Sequence, residues 1–316
     1  DAVRRSGRVV LFQHLTGKRQ PIEDASGKIR GTVWVEELLS PVAPLAEAAR
    51  GLGPFPLPKI EAAVYEFWVF KGSAGEAPTM PATGFQVLSQ KAYDAFYRLL
   101  RDSGISEHFE LPESAAQITS AADLLKLMTS IRKTVSEQPA FADKLVKQLD
   151  QAWVMAESAE TRYLLHSLVA MYTGSNERLL NFYGPPGTIK TIPYHAVIKG
   201  SDPNISAQQL DMTDAVVFVG FSDLYDPGQM DRFYTVFTDK NSIDLSGVEI
   251  AATAFGNLRH DQSIRSPQGI NTLVILFCFG LVITLVVYFT PASLGVPLAI
   301  VLILGYGFFA QIMFND

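Results

Sequence analysis

Apolar and polar positions change rhythm several times along the chain, and each rhythm predicts a different element. Asp1–Ser6 reads as the last turn of a helix, Gly7 as its stop, and Val9–Phe12 as a strand. Thr32–Val35 predicts a short strand, Pro44–Arg50 a short helix ending at Gly51, and Ala63–Phe70 a strand followed by a loop to Pro81. From Phe85 to Arg101 the spacing becomes helical, through Ala92, Phe96, Leu99 and Leu100, with Gly104 as the break. Ser120 and Asp123 form a capping box ahead of Leu124, Leu127, Met128 and Ile131. A third helix is expected after Pro139, carrying Leu145, Val146, Leu149 and Trp153, and a fourth from Thr161 to Tyr172. Then Arg178–Tyr183 reads as a strand, Asp214–Gly220 as a buried parallel strand, and Gly247–Ala252 as the opening of another helix.

The last stretch is different. Ile270–Phe289 and Leu294–Phe314 contain no charged residue, and Thr290–Ser293 links them. A helix of about 20 apolar residues spans about 30 Å, the thickness of a bilayer core. The pattern therefore predicts a transmembrane helical hairpin. The predicted fold class is α/β, with a central sheet and a helical insertion at about 85–158, followed by that hairpin. Two spans would return Asp316 to the face that carries the large domain. Arg259, His260 and Arg265 precede the first span, a weak positive-inside signal that would put the large domain in the cytoplasm.

Composition narrows the chemistry. The chain has 316 residues, a net charge of −6 and a single cysteine, Cys278, inside the first apolar run. No disulfide framework can form from it, and an acidic chain without a basic arm gives nucleic-acid binding no electrostatic support. The five histidines are scattered without ligand spacing, so no metal is expected, nor any cofactor. No nucleophile elbow occurs, and no catalytic residue is assigned. Asp223, Asp226 and Asp231 follow the predicted Val216–Gly220 strand, where ligands bind in open α/β sheets. Solvated loop acids are the plainer reading of all three. Gly184–Thr191 comes within one residue of a phosphate loop, but Ile189 stands where that motif needs its second glycine. A β-branched residue resists the curl that aims N–H groups at a phosphate. Pro193 follows soon after, where a long helix should begin. A nucleotide-binding ATPase using 184–191 is thus the remote alternative, and a strand ending in a Gly-Pro turn the preferred reading.

Four segments resemble, in order, the type-two CHASE domain, an extracytoplasmic sensory domain of bacterial cyclases and kinases. They are Leu180–Ile189 with Ile192–His195, then Val216–Gly220, then Asp231–Phe237, then Gly247–Ala252, and membrane spans follow. The resemblance implies a sensor at the bacterial inner membrane, multi-pass, with its large domain extracytoplasmic. It would pass a signal through its spans to a cyclase or kinase output beyond this chain. It also implies membrane lipid as surroundings, a homodimer or other membrane subunits as partners, and a small-molecule or protein ligand. The ligand-facing rim would comprise Asn181, Tyr183, Asp223, Asp226 and Asp231. Ala2–Phe12 looks like the family's mid-domain helix and strand, so an earlier part of the domain is expected to precede Asp1. The chain departs from the family at Ala251 and Thr253, where His and Asn are usual, and at Val236, where Pro is usual. The alternative is a non-catalytic scaffold subunit of a membrane complex.

Overall fold

The computed structural model describes the chain apart from residues 24–27, 58–62, 106–107, 156–157, 200–210, 223–230, 239–243, 265–269 and 316. Side chains are additionally left aside at 23, 150–155, 199, 270–272, 292, 309–310 and 312–315. The chain divides into two compact units, Asp1–Ile264 and Arg265–Asp316.

The first unit opens as its sequence predicts. Helix α1 (Ala2–Ser6) ends at Gly7, whose φ of 61° is the left-handed stop, and β1 (Val10–Phe12) follows. β1 pairs in parallel with β4 (Gly51–Gly53). Between them lie a long antiparallel ribbon, β2 (His14–Glu23) and β3 (Ile29–Leu39), and the short helix α2 (Ala43–Ala46). The Gln13 amide donates to Ser40 Oγ at 3.0 Å, tying together the two roots of the ribbon. The glycines of β4 let helices come close. A Cβ on Gly53 would lie 2.7 Å from the Met80 nitrogen, at the start of α3 (Met80–Leu88).

Helices fill the rest. α4 (Tyr93–Asp102), α5 (Ala121–Glu137), α6 (Pro139–Met155), α7 (Ala159–Thr173) and α9 (Gly247–His260) pack with α3 around one core; the six-residue α8 (Tyr194–Lys199) lies between α7 and α9 in the sequence. α5 starts with the predicted capping box: Ser120 Oγ accepts from the Asp123 N–H at 3.2 Å, and the Asp123 carboxylate accepts from the Ser120 N–H at 2.9 Å. At the centre, Tyr172 stacks on Phe96 and tilts against Phe70, and its hydroxyl donates to the buried Gln86 at 2.7 Å. The Arg132 guanidinium, almost fully buried, donates to the carbonyls of Tyr172 and Gly174 and so closes the C-terminal end of α7.

Three expectations are corrected. There is no single central sheet among the described residues: the strands form five separate two-stranded pairs, including β5 (Glu66–Trp68) with β8 (Glu177–Leu179), β6 (Phe70–Lys71) with β7 (Ala77–Pro78), and β9 (Arg232–Phe233) with β10 (Leu245–Ser246). The region expected as a helical insertion forms much of the core itself, its apolar faces packing on one another, on α9 and on strand residues such as Phe67 and Phe70. Asp214–Gly220 is not a strand either. Asp214 enters with φ 57°, no strand among the described residues pairs with this segment, and Val216, Val217 and Val219 are exposed. Only Phe218 turns inward, edge-on to Phe255.

The second unit holds α10 (Ile270–Phe289) and α11 (Ala292–Asn315), joined across Thr290-Pro291 as a hairpin in which Phe279 packs on Tyr306 at 4.6 Å. The helices run to 20 and 24 residues. Among the described residues no helix is long and apolar enough to cross a membrane.

Candidate functional site

The segment that follows β8 is strapped along α9. After one further backbone bond, from the Leu180 N–H to the Tyr65 carbonyl, the chain leaves its strand partner and runs against the helix. The predicted strand over Arg178–Tyr183 therefore stops early, because α9 offers Asn181 a side chain in place of a ladder. Asn257, fully buried, accepts from the Asn181 N–H at 2.8 Å and donates to the Asn181 carbonyl at 2.9 Å. An amide side chain thus satisfies both backbone groups as a paired strand would. The Tyr183 ring lies over Gly256, where a Cβ would collide with it, and its hydroxyl bonds to Asn257. Burial raises the Tyr183 phenol above its ordinary pKa, with the Asn257 bond opposing.

At the other end of the strap lies the Gly-Pro-Pro-Gly turn. Thr188 closes it, its N–H and hydroxyl both directed to the Pro185 carbonyl at 3.1 and 2.7 Å. Gly187 adopts φ 83°, the conformation that swings its N–H inward. That N–H donates to Glu249 Oε1 at 2.8 Å, and the Ile189 N–H bonds to the same carboxylate. The near-miss phosphate loop does hold an anion, and the anion is the chain's own. Glu249 sits in the first turn of α9, where the helix dipole favours negative charge, and Ser246 caps that turn. Burial raises the Glu249 carboxyl above its ordinary pKa, and the two N–H bonds oppose that rise. Among the described residues, the helix that follows Lys190 is α8, of six residues.

Of the predicted rim, Asn181 and Tyr183 come together on the C-terminal half of α9, both with exposed side chains. Asp231 goes to the opposite end. Its carbonyl accepts from the Gly247 N–H at 3.0 Å, and its carboxylate covers Gly247 closely enough that a Cβ there would lie 2.5 Å away. It marks the start of α9 with an acid, as a helix N-terminus prefers. Asp223 and Asp226 lie outside the described residues. Among the described residues no group of three His, Cys, Asp or Glu side chains could hold a metal ion.

Residue-type reasoning passed over Glu249 as a site residue and Asn257 altogether. Their signal was a polar stripe at helical spacing, Glu249, Thr253 and Asn257, set among Ile250, Ala254 and Leu258. All of these are buried. A buried polar stripe needs partners, and the backbone of 181–189 supplies them.

A mixed helix-and-sheet domain, with small sheets and a loop fastened to its last helix, is the class of fold that this geometry defines. The chain belongs to the CHASE2 family: the CHASE2 domain profile matches residues 20–287. CHASE2 domains are extracellular sensory domains of signalling proteins. No curated protein and no solved structure matches the chain.

Proposed function

We propose that this chain is the extracytoplasmic sensory part of a bacterial signal-transduction protein, anchored in the inner membrane by α10 and α11. The observation that carries the reading is family membership over residues 20–287, reaching into α10. The membrane part is supported by the absence of charged residues from the sequence of α10 and α11 and by large apolar side chains, such as Leu276, Phe277, Val301 and Leu304, that are exposed on them. Such side chains on every face of a helix pair suit a lipid surround. Asn181 and Tyr183, exposed and held on the C-terminal half of α9, are the ligand-facing residues in this reading. A ligand that shifts the strap would act on α9, the last helix of the domain before the sequence enters α10. The output would be a cyclase or kinase module, reached through small shifts of the spans.

The test is protease accessibility. In cells with a permeabilised outer membrane and an intact inner membrane, added protease is expected to degrade the Asp1–Ile264 unit. Protection in those cells, with cleavage only after inner-membrane lysis, would overturn the placement.

A further inference from the structure

Three elements meet around the C-terminal end of α9. A helix turns by about 100° per residue, so Gly256, Arg259 and His260 fall on one side of α9. The Tyr183 ring covers Gly256 from the strap. Tyr163, on α7, bonds through its hydroxyl to His260 Nδ1 at 3.0 Å. Both phenols stand partly open, Tyr163 43% and Tyr183 44% exposed. Arg259 belongs to the same group. Burial first, then the Arg259 charge, lowers the His260 pKa, and the same charge opposes the rise that burial gives Tyr183.

The charges here do not cancel. Glu160 is paired with Lys91, and Asp261 lies by Arg178 and His166. Among the described residues the Arg259 guanidinium has no hydrogen bond and no ion pair. It is only part exposed, and N–H donors partly withdrawn from water call for an acceptor. A helix C-terminus favours a cation, which accounts for the charge but not for the donors set around it. Asn257 gives its carbonyl to the Asn181 N–H and one amide hydrogen to the Asn181 carbonyl. Its other amide hydrogen remains for Tyr183. That bond opposes the rise burial gives the phenol, so the phenol oxygen accepts it and the Tyr183 O–H is left to donate. With Nδ1 of a neutral His260 accepting from Tyr163, the ring proton sits on Nε2.

We infer that the C-terminal end of α9 is an oxyanion site, where Arg259, with the Tyr183 hydroxyl and the His260 ring N–H beside it, takes the carboxylate or phosphate of a small-molecule ligand. A guanidinium supplies the charge and the forked donors that such a group fits, and the neutral donors add direction. This rests on the sensory reading in one respect, that Tyr183 faces the ligand, and it gives that ligand a chemical class.

The test is titration calorimetry on the purified full chain in detergent, with sodium phosphate and with sodium acetate, at an ionic strength held constant by chloride. At least one of the two anions is expected to bind. Arg259→Gln should weaken that binding at least about tenfold, the worth of a hydrogen bond to a charged group. Tyr183→Phe, which deletes only a hydroxyl, should weaken it several-fold. Arg8→Gln removes an exposed guanidinium elsewhere and should leave it unchanged. Circular dichroism melts establish that each variant is folded; should Arg259→Gln not fold, Tyr183→Phe decides alone. A folded wild type that binds neither anion would overturn the site. So would binding that the Arg259 and Tyr183 variants leave intact, or that Arg8→Gln weakens as much as they do. Binding by the purified chain does not depend on which side of a membrane the domain occupies, so a failure here leaves the protease test of the sensory reading standing.

Discussion

At the scale of single residues, two side chains of α9 hold the strap, and they do so with different chemistry. Asn257 is neutral and pairs with both backbone groups of Asn181. Asn257→Ala would remove both bonds to the part-buried backbone groups of Asn181. It should lower unfolding stability by about 1–3 kcal/mol in denaturant titrations, at about 0.5–1.5 per hydrogen bond. Glu249 is ionisable, and burial raises its pKa above 4.5. A carboxyl that binds its proton more tightly folded than unfolded stabilises the fold at pH below 4.5. That contribution is lost as pH rises through the raised value. The stability of the wild type relative to Glu249→Gln is therefore expected to fall as pH rises through that window. A difference between the two melting curves that stays constant with pH would show that the carboxyl keeps its ordinary proton affinity in the fold.

At the scale of elements, the helices were readable where local rules dominate. Ser120 and Asp123 gave α5 its start, and Gly7 gave α1 its end, because caps and left-handed glycines act within one turn. Ser120→Ala should cost about 1 kcal/mol of stability, measured by thermal melting, with α5 fraying at its first turn. Strands were read less well because a strand is settled by its neighbour. Thr32–Val35 predicted a short strand, but β2 drew it out to 11 residues. Asp214–Gly220 had the composition of a buried strand and found no ladder, so its valines stay exposed. The candidate site divides the same way. Asn181 and Tyr183 lie in Leu180–Ile189, a segment that the family resemblance flags. Asn257 is 76 residues from Asn181, and nothing local in the sequence joins them.

At the scale of the whole molecule, the chain combines a helix-rich CHASE2 domain with a separate apolar hairpin. The strap and α9 carry the residues that the sensory reading needs. The turn at Gly184–Ile189 has a further consequence. Its N–H groups are occupied by a carboxylate tethered to the same fold, and a tethered group acts at an effective concentration on the order of millimolar or above. A diffusible phosphate or carboxylate must exceed that level before it displaces Glu249, so the turn should ignore the ordinary traffic of small anions around it. It can yield to a ligand that brings additional contacts of its own, or to a change in Glu249 itself.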